Sequence, residues 1–172
     1  MQPETVGDSD EEVFANIGVT LLVIQQFELL VERSLKLIYS DRVDQTFEKV
    51  FAEDKRSLGI LITDIRKKTN MSEDADKLLK DLLEDRNLFV HRLGHQEWFD
   101  AHTKEGRDAF WDFMGKFMPK LHMGNMLFSA ILFRHAEERN VSPDLFDQLR
   151  NHEFYLEVRR YYPDVEKIKK RA

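Results

Sequence analysis

Leu82-Leu83-Glu84-Asp85-Arg86-Asn87-Leu88-Phe89-Val90-His91-Arg92-Leu93 is the stretch that decides how this chain folds and what it can do. It reads as the second half of a helix starting at Ser72. Alternating steps of four and three place Ala75, Leu79, Leu82, Arg86, Phe89 and Leu93 on one stripe of that helix. An arginine therefore stands where an amphipathic helix buries an aliphatic side chain. A guanidinium in such a seam is costly unless carboxylates or water satisfy it, and local rule-breaking of this kind is typical of strained or functional sites. One turn further on, His91 supplies an imidazole, the usual protein group for exchanging protons near neutrality. Asn87 and His91 share a face, and Arg86 on the neighbouring face is long enough to bend toward them.

Working outward, the 172 residues suffice for one domain with a full-sized core and leave no room for a second. The 13 Phe stand against only 7 Gly and 4 Pro, and no turn-punctuated alternating run reads as a strand, so the expectation is an all-α fold. The absence of cysteine rules out disulfides, thiolate metal sites and a thiol nucleophile, and fits a reducing compartment. The longest uninterrupted apolar run, 21–24, is too short to cross a bilayer, and the acidic N-terminus lacks the basic start of a signal peptide. A cytoplasmic protein without membrane contact is expected. The formal charge of −6 argues against a broad footprint on duplex DNA, while a small basic patch can still hold a short single strand.

In chain order, residues 1–8 hold Pro3, Gly7 and scattered acids and are expected to be disordered. Ser9 and Glu12 have capping-box spacing, and a helix over about 9–40 carries Ile17, Leu21, Ile24, Val31, Leu35 and Ile38 in a four-three repeat. Glu28 falls in that repeat, and either Glu28 or Glu32, one turn later, is expected to face Arg86 from the adjacent helix. The alternative is that Phe27 supplies the seam and Glu28 sits at its edge. A short helix is expected at 46–52, and a clearer one at 57–68 with Leu58, Leu61, Ile62 and Ile65 on one face. Ser72 caps the motif helix, which should fray at Gly94; Thr103 caps the next.

From 107 to 138, Phe110, Met114, Phe117, Leu121, Gly124, Phe128 and Ile131 keep the repeat nearly unbroken. Pro119 lies inside it, four residues after Gly115, whose backbone can yield, so one kinked helix is expected. Met114, Met118, Met123 and Met126 read as flexible core filler in preference to a cofactor box or groove, and no cofactor is expected. Ser142-Pro143 restarts a final helix to about Tyr161. The helical domain thus spans 9–162, followed by a loose basic tail, 163–172, whose Lys167, Lys169, Lys170 and Arg171 are solvated or touch phosphate.

An arginine, an adjacent amide and a histidine are the groups needed to cut RNA without a metal. The ribose 2′-hydroxyl attacks its own phosphate, which calls for a proton acceptor, a proton donor and positive charge on the developing phosphorane. His91 can exchange the proton, the planar fork of Arg86 can hold two phosphate oxygens, and Asn87 can orient the ring or the hydroxyl. One histidine cannot serve both sides of a phosphate in a single step, so a two-fold dimer joining two motif helices is expected. A different chemistry is zinc binding by His91, His95, Glu97, Asp100 and His102, although Gly94 interrupts the histidine pair and no HExxH motif is present.

Arg86-Asn87-Leu88-Phe89-Val90-His91 resembles the R-x4-6-H signature of the HEPN superfamily (higher eukaryotes and prokaryotes nucleotide-binding), including the polar residue that often follows the arginine. The resemblance extends to a long first helix, a short second one and the motif on the third. It implies an up-and-down bundle of four to five helices, usually a homodimer. It also implies a metal-independent endoribonuclease of toxin-antitoxin, anti-phage or RNA-processing systems, with Arg86 and His91 catalytic, Asn87 supporting and RNA or a nucleotide bound. Some toxin members carry a tyrosine two residues after the histidine that a protein antitoxin modifies; here that position is Leu93. Other members have lost catalysis, so the alternative is a non-catalytic interaction or scaffold protein.

Overall fold

Helix α1, Asp10–Tyr39, starts where Ser9 accepts a hydrogen bond from the Glu12 N–H at 3.2 Å, with Asp10, Glu11 and Glu12 filling its first turn. The computed structural model describes residues 9–39, 58–70, 72–138, 148, 151–163 and 169–170. The expected disordered start at 1–8, the short helix at 46–52 and the Ser142-Pro143 cap lie outside them. After α1 come α2, Leu58–Lys68, the motif helix α3, Glu73–His91, the long α4, Lys104–Glu138, and the short α5, Glu153–Arg159. These helices form a bundle in which α1 lies mainly on α4, α3 packs on α4, and α2 bridges α1 and α3. The one β pairing among the described residues is two residues long: β1, Thr69–Asn70, runs antiparallel to β2, Lys169–Lys170. That part of the basic tail is therefore paired, not loose.

The seam of α3 lies as the spacing predicts, with Ala75, Leu79, Leu82, Phe89 and Leu93 all buried. The α4 repeat is equally regular from Phe110 to Ile131 and runs on through Pro119. In α1 the expected phase needs correction. Val13, Thr20, Ile24, Phe27, Val31 and Ser34 are buried, while Ile17 and Leu21 are only partly so. A strict four-three repeat drifts against 3.6 residues per turn, and burying Phe27 in place of Glu28 avoids desolvating a charge. Leu35 and Ile38 are among the side chains not described. The buried Ser34 hydroxyl is satisfied by the carbonyls of Leu30 at 2.8 Å and Phe128 at 3.3 Å.

Two glycines set close approaches. A Cβ on Gly124 would lie 2.7 Å from Leu82 Cδ2 and 3.1 Å from Phe27 Cε2, so its absence lets α1, α3 and α4 meet. A Cβ on Gly106 would lie 2.1 Å from the Asp100 carbonyl oxygen, where the entry loop folds over the first turn of α4. Thr103 caps that turn by accepting from the Gly106 N–H at 3.2 Å.

The final helix is shorter than expected. His152 is extended (φ −76°, ψ 131°) and caps α5, so no single helix reaches Tyr161 from 143. Asn151 before it is a turn residue with weak helix preference. Among the methionines, Met114 and Met126 are buried and Met118 partly so, while Met123 is exposed. Taken as a whole, α1 over Asp10–Ser34 is long and apolar enough to cross a membrane by length and composition, although no uninterrupted apolar run is. Its interruptions there are mostly Gly, Thr, Asn and Gln in place of charges. A core helix of a soluble protein meets the same test.

Candidate active site

The last turns of α3 are fixed before any polar group is considered. Ser72 starts the helix by accepting from the Ala75 N–H at 3.2 Å. Near its other end the Phe89 ring stacks on Phe113 and leans on Phe117, both in α4. The Arg92 N–H closes the helix on the Leu88 carbonyl at 2.9 Å, and a 3-10 turn, Leu93–His95, follows where fraying at Gly94 was expected. Buried Leu93 pins the chain just after His91.

On this frame Arg86 sits in the seam with its side chain 17% exposed. Its Nε and Nη2 both donate to Glu28 Oε1, at 2.8 and 2.5 Å, so α1 supplies the carboxylate that offsets the charge. Its Nη1 donates to Asn87 Oδ1 at 3.0 Å and meets His91 Nε2 at 2.9 Å. A guanidinium can only donate, so Nε2 accepts here, and the neutral ring carries its proton on Nδ1. These contacts occupy every N–H of the guanidinium except one on Nη2 among the described residues. His91 itself is exposed, at the open end of a relay from buried Glu28 contacts to solvent.

The three motif residues and Glu28 are thus brought together. Glu32 is not; it is partly buried and engaged by other groups. Sequence reasoning missed a second pair one residue away, in which Lys120 Nζ of α4 meets Asp85 Oδ2 at 2.6 Å. The pair is partly shielded and braces α3 on α4 beside Arg86. Its only sequence signal is a lysine at the edge of the α4 stripe, because spacing within one helix carries no register between helices. The residues considered for zinc do not converge. His102 Nδ1 meets Asp10 Oδ2 of α1 at 3.0 Å, and among the described residues no three His, Asp or Glu side chains are grouped to hold a metal.

No family model matches the chain, and neither a curated protein nor a solved structure matches it significantly. The likeness to the HEPN superfamily therefore rests on the motif and on where it stands in the bundle.

Proposed function

We propose that this chain is a metal-independent endoribonuclease of HEPN type, with a composite site built from Arg86, Asn87 and His91 across a cytoplasmic homodimer. The observation that carries the proposal is the double use of Arg86 Nη1, which holds Asn87 Oδ1 and His91 Nε2 together at hydrogen-bond distance. Glu28, on the other edge of the same guanidinium, keeps the fork planar to the site and supports it without touching substrate.

An RNA phosphate entering the site competes for Nη1 and the remaining Nη2 N–H, and in doing so releases His91 Nε2. The freed imidazole takes the proton from the ribose 2′-hydroxyl as that oxygen bonds to phosphorus, and the guanidinium neutralises the charge gathering on the phosphorane. The bond to the 5′-oxygen breaks as the partner's His91 returns a proton to it, leaving a 2′,3′-cyclic phosphate and a 5′-hydroxyl. No group beyond the two imidazoles and the guanidinium is needed for charge or proton balance. A protein antitoxin, in a toxin-antitoxin or phage-defence setting, is the partner that accords with such an activity.

A second reading has its own support. Most N–H groups of Arg86 are already satisfied within the chain, as in an arginine kept for packing, and that suits a non-catalytic interaction or scaffold protein. Incubation of wild type and His91→Ala with single-stranded RNA in the presence of a chelator separates the two. The nuclease reading expects cleavage to fall about 10²–10⁴-fold, the range for a lost general acid-base. Thermal unfolding should stay unchanged, because His91 is exposed. RNA left intact by concentrated wild type favours the scaffold, and equal cleavage by both proteins removes His91 from the mechanism.

A further inference from the structure

We infer that the outward face of α1 is a contact between two copies of this chain, which meet antiparallel about a two-fold axis at Leu22. The inward face of α1 is spent on the core. On the opposite face, steps of four and three connect Glu11, Ala15, Gly18, Leu22, Gln25 and Leu29, every one of them exposed. Leu22 is 60% exposed and Val19 beside it 59%. The solvent face of an amphipathic helix normally carries charge, and 34% of this chain is charged, yet this face has none between Glu11 and Arg33. A continuous uncharged apolar strip of this kind marks a contact surface.

The ends of the strip identify the occupant. Glu11 closes one end and Arg33 the other, with opposite charge. An antiparallel copy centred on Leu22 sets Glu11 against the partner's Arg33, Ala15 against the partner's Leu29, and Leu22 against the partner's Leu22. A parallel copy would oppose like charges at both ends. Gly18, with open space around the place of a Cβ, leaves room for the partner's Gln26. A surface complementary to itself under a half-turn is the property of an isologous interface. A bilayer has no use for paired end charges of opposite sign, and an unrelated protein has no reason to match a palindromic pattern.

The inference does not depend on ribonuclease activity. Glu28, which meets Arg86, lies roughly 120° round the helix from Leu22, so this contact leaves the His91 face open. If both faces are used, the assembly doubles again by a second two-fold axis.

The full chain has no cysteine, so single-cysteine variants report position without background. With a short bis-maleimide, Leu22→Cys is expected to give a covalent dimer. Ala15→Cys alone and Leu29→Cys alone should stay monomeric on a denaturing gel, while their mixture links. Leu22→Glu should halve the native mass. Glu11→Arg should weaken association at least tenfold, and adding Arg33→Glu should restore it. Absence of Leu22→Cys dimer overturns the inference, as does Ala15→Cys linking to itself as efficiently as Leu22→Cys. Binding of the monomeric wild type to phosphatidylcholine vesicles would overturn it in favour of a lipid surface.

Discussion

Two carboxylates in this bundle each take a polar partner from another helix, and they do so to different ends. Glu28 of α1 holds Arg86 of α3, and Glu137 of α4 accepts a hydrogen bond from the Tyr155 hydroxyl of α5. The first pair leads outward, because the same guanidinium also holds Asn87 and exposed His91. The second closes on itself beside a small apolar cluster of Met126, Ala130 and Val158, with Tyr161 and Tyr162 packed against it. A buried polar contact is thus not in itself a sign of chemistry. What distinguishes Arg86 is that its remaining donors reach groups able to move a proton at the surface.

The sharpest way to break this contrast is Arg86→Lys, which keeps the charge and loses the fork. One ammonium cannot serve Glu28, Asn87, His91 and a phosphate together. RNA cleavage should fall about 10²–10³-fold, the usual loss for one preorganised donor in a transition state. Retained cleavage would mean that only the charge matters.

Glu28→Gln removes the partner without touching the motif. Hydrogen bonds to charged groups are worth about 1.5–3 kcal/mol, and the pair is partly solvated, so a loss near the lower end is expected. Thermal denaturation should show it as a fall in Tm of about 2–6 °C for a chain of this size, together with slower cleavage. A stable variant with full activity would show that Glu28 neither holds nor aims the guanidinium.

The smallest effect belongs to the closed pair. Tyr155→Phe should cost about 1 kcal/mol and leave cleavage untouched. Burial, and then the Glu137 carboxylate, push the Tyr155 phenol above its usual value of 10.0. A phenol raised in the folded state contributes stability that is complete below that pH and is lost as pH climbs past it, because the unfolded chain ionises first. Wild type should therefore lose stability faster than Tyr155→Phe above pH 10.0, a comparison denaturant titrations can make.

Much of this was legible in the chain. The seam of α3 with its misplaced arginine, the long repeat of α4 and the caps at Ser9, Ser72 and Thr103 all follow from periodicity and local hydrogen bonding, which are written in consecutive residues. Glu28 was readable as an acid at odds with its surroundings, although the phase that buries Phe27 was offered only as the alternative. What spacing could not carry was register between helices. The Asp85–Lys120 brace and the contact of Gly124 with Leu82 and Phe27 depend on how far one helix slides along another. The break at His152 escaped because Ser142-Pro143 announced a helix start and no proline or glycine announced the interruption.

The most direct test of the central claim is the chemistry of the ends left on RNA. Purified wild type, given single-stranded RNA and a chelator, should leave 2′,3′-cyclic phosphate and 5′-hydroxyl ends, and an RNA with a 2′-deoxyribose at the cut position should survive intact. Ends bearing a 3′-hydroxyl, or cutting that ignores the missing 2′-hydroxyl, would contradict the account.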